Sequence, residues 1–283
     1  MATPASLDQI PTPDDSIGLL EGIAPTRSIR RYADEPVPES VLRDICFAAS
    51  RAPTGSNRQQ FRMIVLTDGD IAQQAKHLVA EGAQRLWSAK RRNDGYDEGS
   101  GITDDSPKAR IARSMETYVD GLSTVPALIL PTLIRHREPT STEGASVYPA
   151  MQNLLLAARG LGYGGVVTMW HAAVEPQLRA LLQIPDEVFL AATVTLGKPA
   201  GNHGPVRRRP LDHFVYEGVW GQSPAWAVDP PGTRHTSAGP PRRCPHSHHG
   251  RWPDGSSGLC GSATSGRLGS CGARPLQTPL GDA

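Results

Sequence analysis

The chain has 283 residues, 38% of them hydrophobic, and a formal net charge of +1; this is enough apolar material for one large core or two modest ones. So small a charge excludes the whole-protein field that draws a chain to nucleic acid or anionic lipid, and any basic site must be local. Four scattered cysteines (Cys46, Cys244, Cys260 and Cys271) make no disulfide framework, and the expected setting is a reducing cytoplasm. The opening stretch, "MATPASLDQIPTPDDSIGLLEG", reads as neither signal peptide nor anchor, and the most apolar stretch, "VPALILPTLI", is broken by prolines, so no membrane span is expected.

After a flexible start at 1–13, "DDSIGLLEGI" offers Asp14, Asp15 and Ser16 as caps for a short helix with Ile17, Leu19, Leu20 and Ile23 on its apolar face. "EPVPESVLRDICFAASRAP" carries Pro36 and Pro38 at its entry, Val41, Leu42, Ile45, Cys46, Ala48 and Ala49 on one stripe, and Pro53 as its stop, which predicts a second helix. "FRMIVLTDG" predicts a strand ending in a turn. A long helix follows from Asp70, then a Gly-, Asp- and Ser-rich loop over 94–107 and another helix in "KARIARSMETYVDGLS". "VPALILPTLI" predicts a strand, "SVYPAMQNLLLAARGLGYG" a helix ended by Gly160 and Gly162, and "GVVTMW" a short strand. "EPQLRALLQIPDE" and "VFLAATVTLGKP" add a helix and a strand.

These elements are mixed without strict alternation, and no strand runs into a G-x-G-x-x-G or P-loop pattern. The expected fold class is α+β, with helices flanking a mixed sheet over residues 14–221. From 222 onward the composition shifts: ten glycines and nine prolines over 222–283, a local charge of +3 and no lysine predict a disordered tail, leaving −2 on the segment 1–221. "CPHSHHG" at 244–250 with Cys260 and Cys271 invites a zinc reading, but no two cysteines are spaced as tetrahedral sites need, so no metal site is assigned.

Three polar constellations remain. "PTRSIRRY" sets Arg27, Ser28 and Arg30 together, and forked guanidinium donors with a short hydroxyl suit a phosphate monoester or, equally, a solvated basic turn. "GPVRRRPLDHFV" repeats the chemistry with Arg207, Arg208 and Arg209. Neither cluster carries aromatic residues for base stacking, which argues against nucleic acid. "APTGSNRQQF" is a loop of small hydrogen-bonding groups, with Asn57 and Gln59 able to bond a polar heterocycle.

With "AMQNLLLAARGLGYGG" and "LGKPAGNHGPVRRRPLDHFV", these segments together resemble the FMN-dependent nitroreductases over about residues 16–221. The resemblance implies a largely antiparallel sheet and an intertwined homodimer with FMN at the subunit interface. It also implies hydride transfer from NADH or NADPH to an electron-poor acceptor such as a nitroaromatic or quinone. Arg27, Ser28, Arg30, Arg207 and Arg208 would hold the FMN phosphate and ribityl chain, and Pro53, Thr54 and Asn57 would line the flavin. Gly164 and Gly165 match a turn that brings a backbone N–H to flavin N5. No catalytic side chain is expected, because the flavin carries the chemistry. Arg31 is expected to face solvent or the partner subunit, and His171 a polar surface or dimer contact. Thr26 and the Gln60-Phe61 pair depart from the family pattern. Other flavin reactions on the same scaffold, dehydrogenation or reductive dehalogenation, remain open, as does FMN binding without turnover.

Overall fold

The computed structural model describes residues 17–236 except 104, 202 and 205. The expected caps at 14–16, the segment 1–13 and the histidine- and cysteine-bearing segment 244–271 lie outside the described residues. Helix α1 is Leu19–Ile23, and α2, Glu39–Ser50, begins directly after Pro38 and buries Ile45 and Ala49. Strand β1, Phe61–Leu66, leads to the 24-residue helix α3, Asp70–Asn93. Helix α4, Pro107–Asp120, starts where the Ser106 hydroxyl accepts the Ala109 N–H (3.0 Å) with Pro107 at its first position, a favoured arrangement for a helix start. Then come β2 (Ala127–Ile134), α5 (Tyr148–Gly160), β3 (Gly164–Thr168), α6 (Glu175–Leu182), β4 (Val188–Leu190) and β5 (Thr193–Gly197). After α5, Gly162 adopts φ +80°, the left-handed turn-off that glycine permits at a helix end.

The sheet order is β1-β2-β5-β3, with β4 pairing β2 beside β5. Every strand pairing is antiparallel, so the mixed sheet expected from sequence resolves into its antiparallel part. The single strand read in "VFLAATVTLGKP" is two. Between the pairs Thr132–Leu190 and Ile129–Val194 three steps along β2 face four along its partner, which is a β-bulge at Ala191 and Ala192. Its cause is in β2: Pro131 has no N–H to give the ladder, and only its carbonyl is used, by the Ala191 N–H (2.9 Å).

β2 reads as a continuous apolar run because helices cover both faces of the sheet. Leu128 and Leu130 join Val79, Ala83 and Leu122 on the α3 side, while Ile129 and Leu133 join Ile45, Met151 and Leu154 on the α2 and α5 side. His171, expected at a surface, is 4% exposed in the turn Trp170–Ala173 packed on α3. That packing needs Gly82, where a Cβ would sit 2.3 Å from the Trp170 carbonyl. Burial pushes the His171 pKa down, opposed by the charge of Glu175 and a hydrogen bond to the Leu190 backbone.

The expected boundary at 221 falls short of the folded structure. The Leu211 N–H donates to Asp229 Oδ2 (2.9 Å), Thr236 N–H to the Arg208 carbonyl (2.9 Å), and Ala227 is buried. Residues 222–236 thus pack back on 208–217 instead of starting the tail. The 237–283 part of that expectation lies outside the described residues.

Candidate anion and cofactor site

The segment after α1 runs beside β3, with the Ile29 N–H donating to the Gly165 carbonyl (3.0 Å). Thr26, where the sequence departs from the motif, is tied backward: its hydroxyl donates to the Gly22 carbonyl at the end of α1. Arg27, Ser28 and Arg30 open onto one cavity of about 750 Å³ together with Arg207 and Arg208. The two arginine clusters that bracket the domain in sequence therefore meet in space. Arg208 is held there by Thr236, which also walls the cavity. Arg209 is not part of that wall.

Most of these guanidinium groups have donors to spare. Arg27 gives one to the Gly204 carbonyl (2.7 Å) and Arg208 one to the Arg207 carbonyl (3.1 Å). The buried Nε of Arg30 has no partner. No aspartate or glutamate lines this cavity among the described residues. Guanidinium groups and a hydroxyl with no described carboxylate beside them make a wall suited to an anion.

Behind Arg30 lies a hydroxyl network. Tyr32 and Tyr118 both bond the Thr195 hydroxyl (2.8 and 2.9 Å), and Tyr32 also donates to the Ile29 carbonyl (2.7 Å). Burial pushes both phenol pKa values up, while the Thr195 hydrogen bond and the Arg30 charge oppose the rise. The phenols stay neutral and fix the backbone that carries Arg30.

A second cavity, about 540 Å³, shares Arg27, Ser28 and Arg30 and adds Arg31 and His203. Arg31, expected to face solvent or a partner, is exposed and also lines this cavity. Partial burial, then Arg31 and Arg27, holds the His203 pKa low. The opposite wall of both cavities is α4, through Arg110 and Ser114, with Arg113 and Thr117 in the second. The sequence reading missed these four, although their spacing of i, i+3, i+4 and i+7 puts them on one helix face.

Gly164 and Gly165 lie in strand β3, paired with Gly197 and Leu196, and not in a turn. Their lack of a Cβ has a reason inside the chain: one would meet Ile29 Cγ1 at 2.5 Å from Gly164 and the Thr195 carbonyl at 2.5 Å from Gly165. Both glycines nevertheless line a cavity with Arg27 on the side toward Arg159.

Pro53, Thr54 and Asn57 lie elsewhere, and none of them walls the cavities described above. Their loop is pinned to the start of α5, where the Gly55 N–H donates to Ser146 Oγ (3.2 Å), and Thr54 Oγ1 accepts the Gln59 N–H (3.0 Å). Ser56, Asn57 and Gln59 all adopt positive φ, 52°, 49° and 53°. Strain of this kind in non-glycine residues is concentrated at functional sites. The arginine wall stands at the other end of α5, whose 13 residues span about 20 Å.

Apolar surface is also left open. Leu19 and Leu20 of α1 are 71% and 79% exposed, beside an apolar groove of about 340 Å³ between α1, α2 and α5. Trp220 is 90% exposed. No helix of the described residues is long and apolar enough to cross a membrane, and those residues hold no cluster of three metal-ligating side chains.

A family model described as "Nitroreductase family" matches residues 23–198. The chain is 27% identical over 208 residues to an NADH dehydrogenase of Thermus thermophilus, covering 67% of this chain and 90% of that one. It is 26% identical over 222 residues to the iodotyrosine deiodinase of Nematostella vectensis, covering 74% and 79%. Among solved structures, a chain from Desulfovibrio desulfuricans in complex with FMN superposes with a TM-score of 0.51 at 26% identity, covering 72% and 99%.

Proposed function

The chain belongs to the nitroreductase family, and from that premise we propose that it is an FMN-dependent oxidoreductase. It takes hydride from NADH or NADPH and passes it to an electron-poor acceptor such as a nitroaromatic or quinone. The observation that carries the reading is the meeting of Arg27, Ser28 and Arg30 with Arg207 and Arg208 around one cavity, with a buried Arg30 donor unpartnered and no carboxylate in the wall among the described residues. These residues fit a phosphate monoester, since guanidinium forks and a hydroxyl match its oxygens. When bound, FMN supplies the hydride chemistry at N5.

The chain's own part is position and charge. Arg27, Arg207 and Arg208 hold the phosphate, Ser28 donates a short hydrogen bond, and Arg30 places a fixed positive charge on the inner side of the cavity. Gly164, whose missing Cβ leaves room for Ile29, keeps the Arg27 segment close against β3. Pro53, Thr54 and Asn57 line the flavin ring in this reading, and their place at the far end of α5 supports assigning them to the site of a partner subunit. Two copies related by a two-fold axis would join the loop of one to the arginine wall of the other. The exposed leucines of α1, the adjacent groove and Trp220 are apolar surface that such a homodimer would cover.

Mixed dimers test the arrangement. One chain carries Arg27→Ala with Arg208→Ala, the other Pro53→Ala with Asn57→Ala, and each is inactive alone. If loop and wall come from different subunits, the mixed dimer regains one intact site of its two, with FMN and NADH oxidation to match. No recovery in a verified heterodimer refutes the shared site, and a colourless wild-type protein that takes up no FMN refutes the flavin reading altogether. The similarity to iodotyrosine deiodinase favours reductive dehalogenation as the second reading. Halide release from a halogenated phenol, compared with nitroaromatic reduction by the same preparation, separates the two.

A further inference from the structure

The basic wall is larger than one phosphate requires. Seven arginines line the two joined cavities, whereas a phosphate monoester carries about two negative charges. One of the seven, Arg113, has an ion pair, with Asp105 at 3.3 Å; both side chains are largely exposed, where such pairs hold weakly. Arg110 gives one donor to the Asp105 backbone carbonyl. Among the described residues no carboxylate lines either cavity. The surplus is organised: Arg110, Arg113, Ser114 and Thr117 occupy one face of α4, across the cavity from Arg27 and Arg31.

We infer that this α4 face is a second anion subsite, which takes the 2′-phosphate of NADPH and so selects NADPH over NADH. A cluster of guanidinium groups with hydroxyls presented by a helix side suits the three free oxygens of a monoester. A pyrophosphate, by contrast, is typically cradled by backbone N–H groups at a helix N-terminus. The inference rests on the FMN reading in one respect, that the flavin phosphate occupies the Arg27–Arg208 end and leaves the part of α4 that carries Arg113 and Thr117 free.

The test measures adenosine 2′,5′-bisphosphate and 5′-AMP by titration calorimetry on the FMN-loaded protein, in wild type and in Arg113→Ala/Thr117→Ala, two α4 residues that line the second cavity and not the first. Wild type should bind the bisphosphate at least about tenfold more tightly than AMP. The variant should lose that preference, and its KM for NADPH but not NADH should rise about tenfold or more, as expected for losing charged hydrogen bonds. Its FMN affinity should stay unchanged. Asp105→Asn, which frees Arg113 without removing it, should preserve the preference. Weakened FMN binding in the Arg113→Ala/Thr117→Ala variant would assign α4 to the flavin cradle and overturn the inference. So would an equal loss for both nucleotides, or no change for either. A selective rise in KM for 4-nitrobenzoate over nitrobenzene, with the nucleotide preference intact, would overturn it by assigning the subsite to a carboxylated acceptor. If the protein takes up no FMN, the flavin reading fails while the nucleotide preference of the protein as purified still decides this one.

Discussion

Removing two arginines from opposite sequence ends of the wall, Arg27→Ala with Arg208→Ala, is the sharpest perturbation of the proposed cradle. A hydrogen bond to a charged group contributes about 1.5–3 kcal/mol. Both guanidinium groups lie on an exposed part of the wall, and solvent screening holds each to the lower part of that range. The pair shares one anion, so their losses are not expected to add fully. The expected weakening is about 2–4 kcal/mol, or roughly thirty- to a thousandfold in Kd for FMN. Titrating apoprotein into FMN and following flavin fluorescence measures it, with circular dichroism to show that the fold is kept. The loss should shrink as salt rises, because the removed term is electrostatic. Arg43→Ala, whose partner is Asp44 on the surface of α2, should change nothing. Unchanged FMN affinity in the folded double variant would refute the placement of the phosphate between the two clusters.

Gly165→Ala should cost about 1–3 kcal/mol of stability in denaturant unfolding, since the new Cβ meets the Thr195 backbone carbonyl at 2.5 Å; wild-type stability would refute the close β3–β5 packing. Stability should fall as pH drops below about 6.5, the unfolded histidine value, because the unfolded chain then takes up a proton that buried His171 resists down to its lower folded pKa. His171→Gln should remove part of that slope and His203→Gln, at a histidine shifted the same way, part of the rest; an unaltered slope in both variants would refute it. Truncation after Thr236 should leave melting temperature and FMN affinity unchanged, whereas truncation after Gly221 should lower both, since it deletes Asp229 and Thr236. Equal behaviour of the two truncations would refute the role given to 222–236.

The legible parts of this fold are those where local chemistry decides structure. Pro38 starts a helix and Gly162 ends one, as their residue types announce, whereas the Ser106 cap and Pro107 start of α4 lie in the stretch read as loop. The α4 subsite is visible only in principle, because Arg110, Arg113, Ser114 and Thr117 have the spacing of any solvated helix face. What distinguishes them is the absence of described carboxylates from the cavity walls they share, which is a tertiary fact. His171 escapes a sequence reading for a related reason: sequence cannot show that Gly82 admits the Trp170–Ala173 turn against α3. The bulge at Ala191 is half-legible, since Pro131 announces a missing donor but not which neighbouring strand will accommodate it. The tail boundary is misplaced because composition averages over the whole of 222–283. Pro- and Gly-rich sequence reads as structureless, yet 222–236 is held by single side chains such as Ser223, whose hydroxyl donates to the Val215 carbonyl (3.0 Å).

The candidate site is legible as a set of residues and not as an arrangement. A motif list treats Asn57 and Arg27 alike as cofactor contacts, but α5 keeps them at its two ends, and nothing in their sequence separation forecasts that. The separation follows from chain order. The strained loop enters from α2's far end and is tied to Ser146 just before α5 begins, whereas the arginine segment is tied to Gly165 just after α5 ends. A rigid 13-residue helix therefore holds two half-sites apart by construction. In the proposed reading, in which loop and wall act on one FMN, the separation favours joining them across a subunit boundary, which the mixed dimers test. On that reading the strain at Ser56, Asn57 and Gln59 and the exposed leucines of α1 have one common origin: each belongs to a surface of the single chain that association and FMN together would complete.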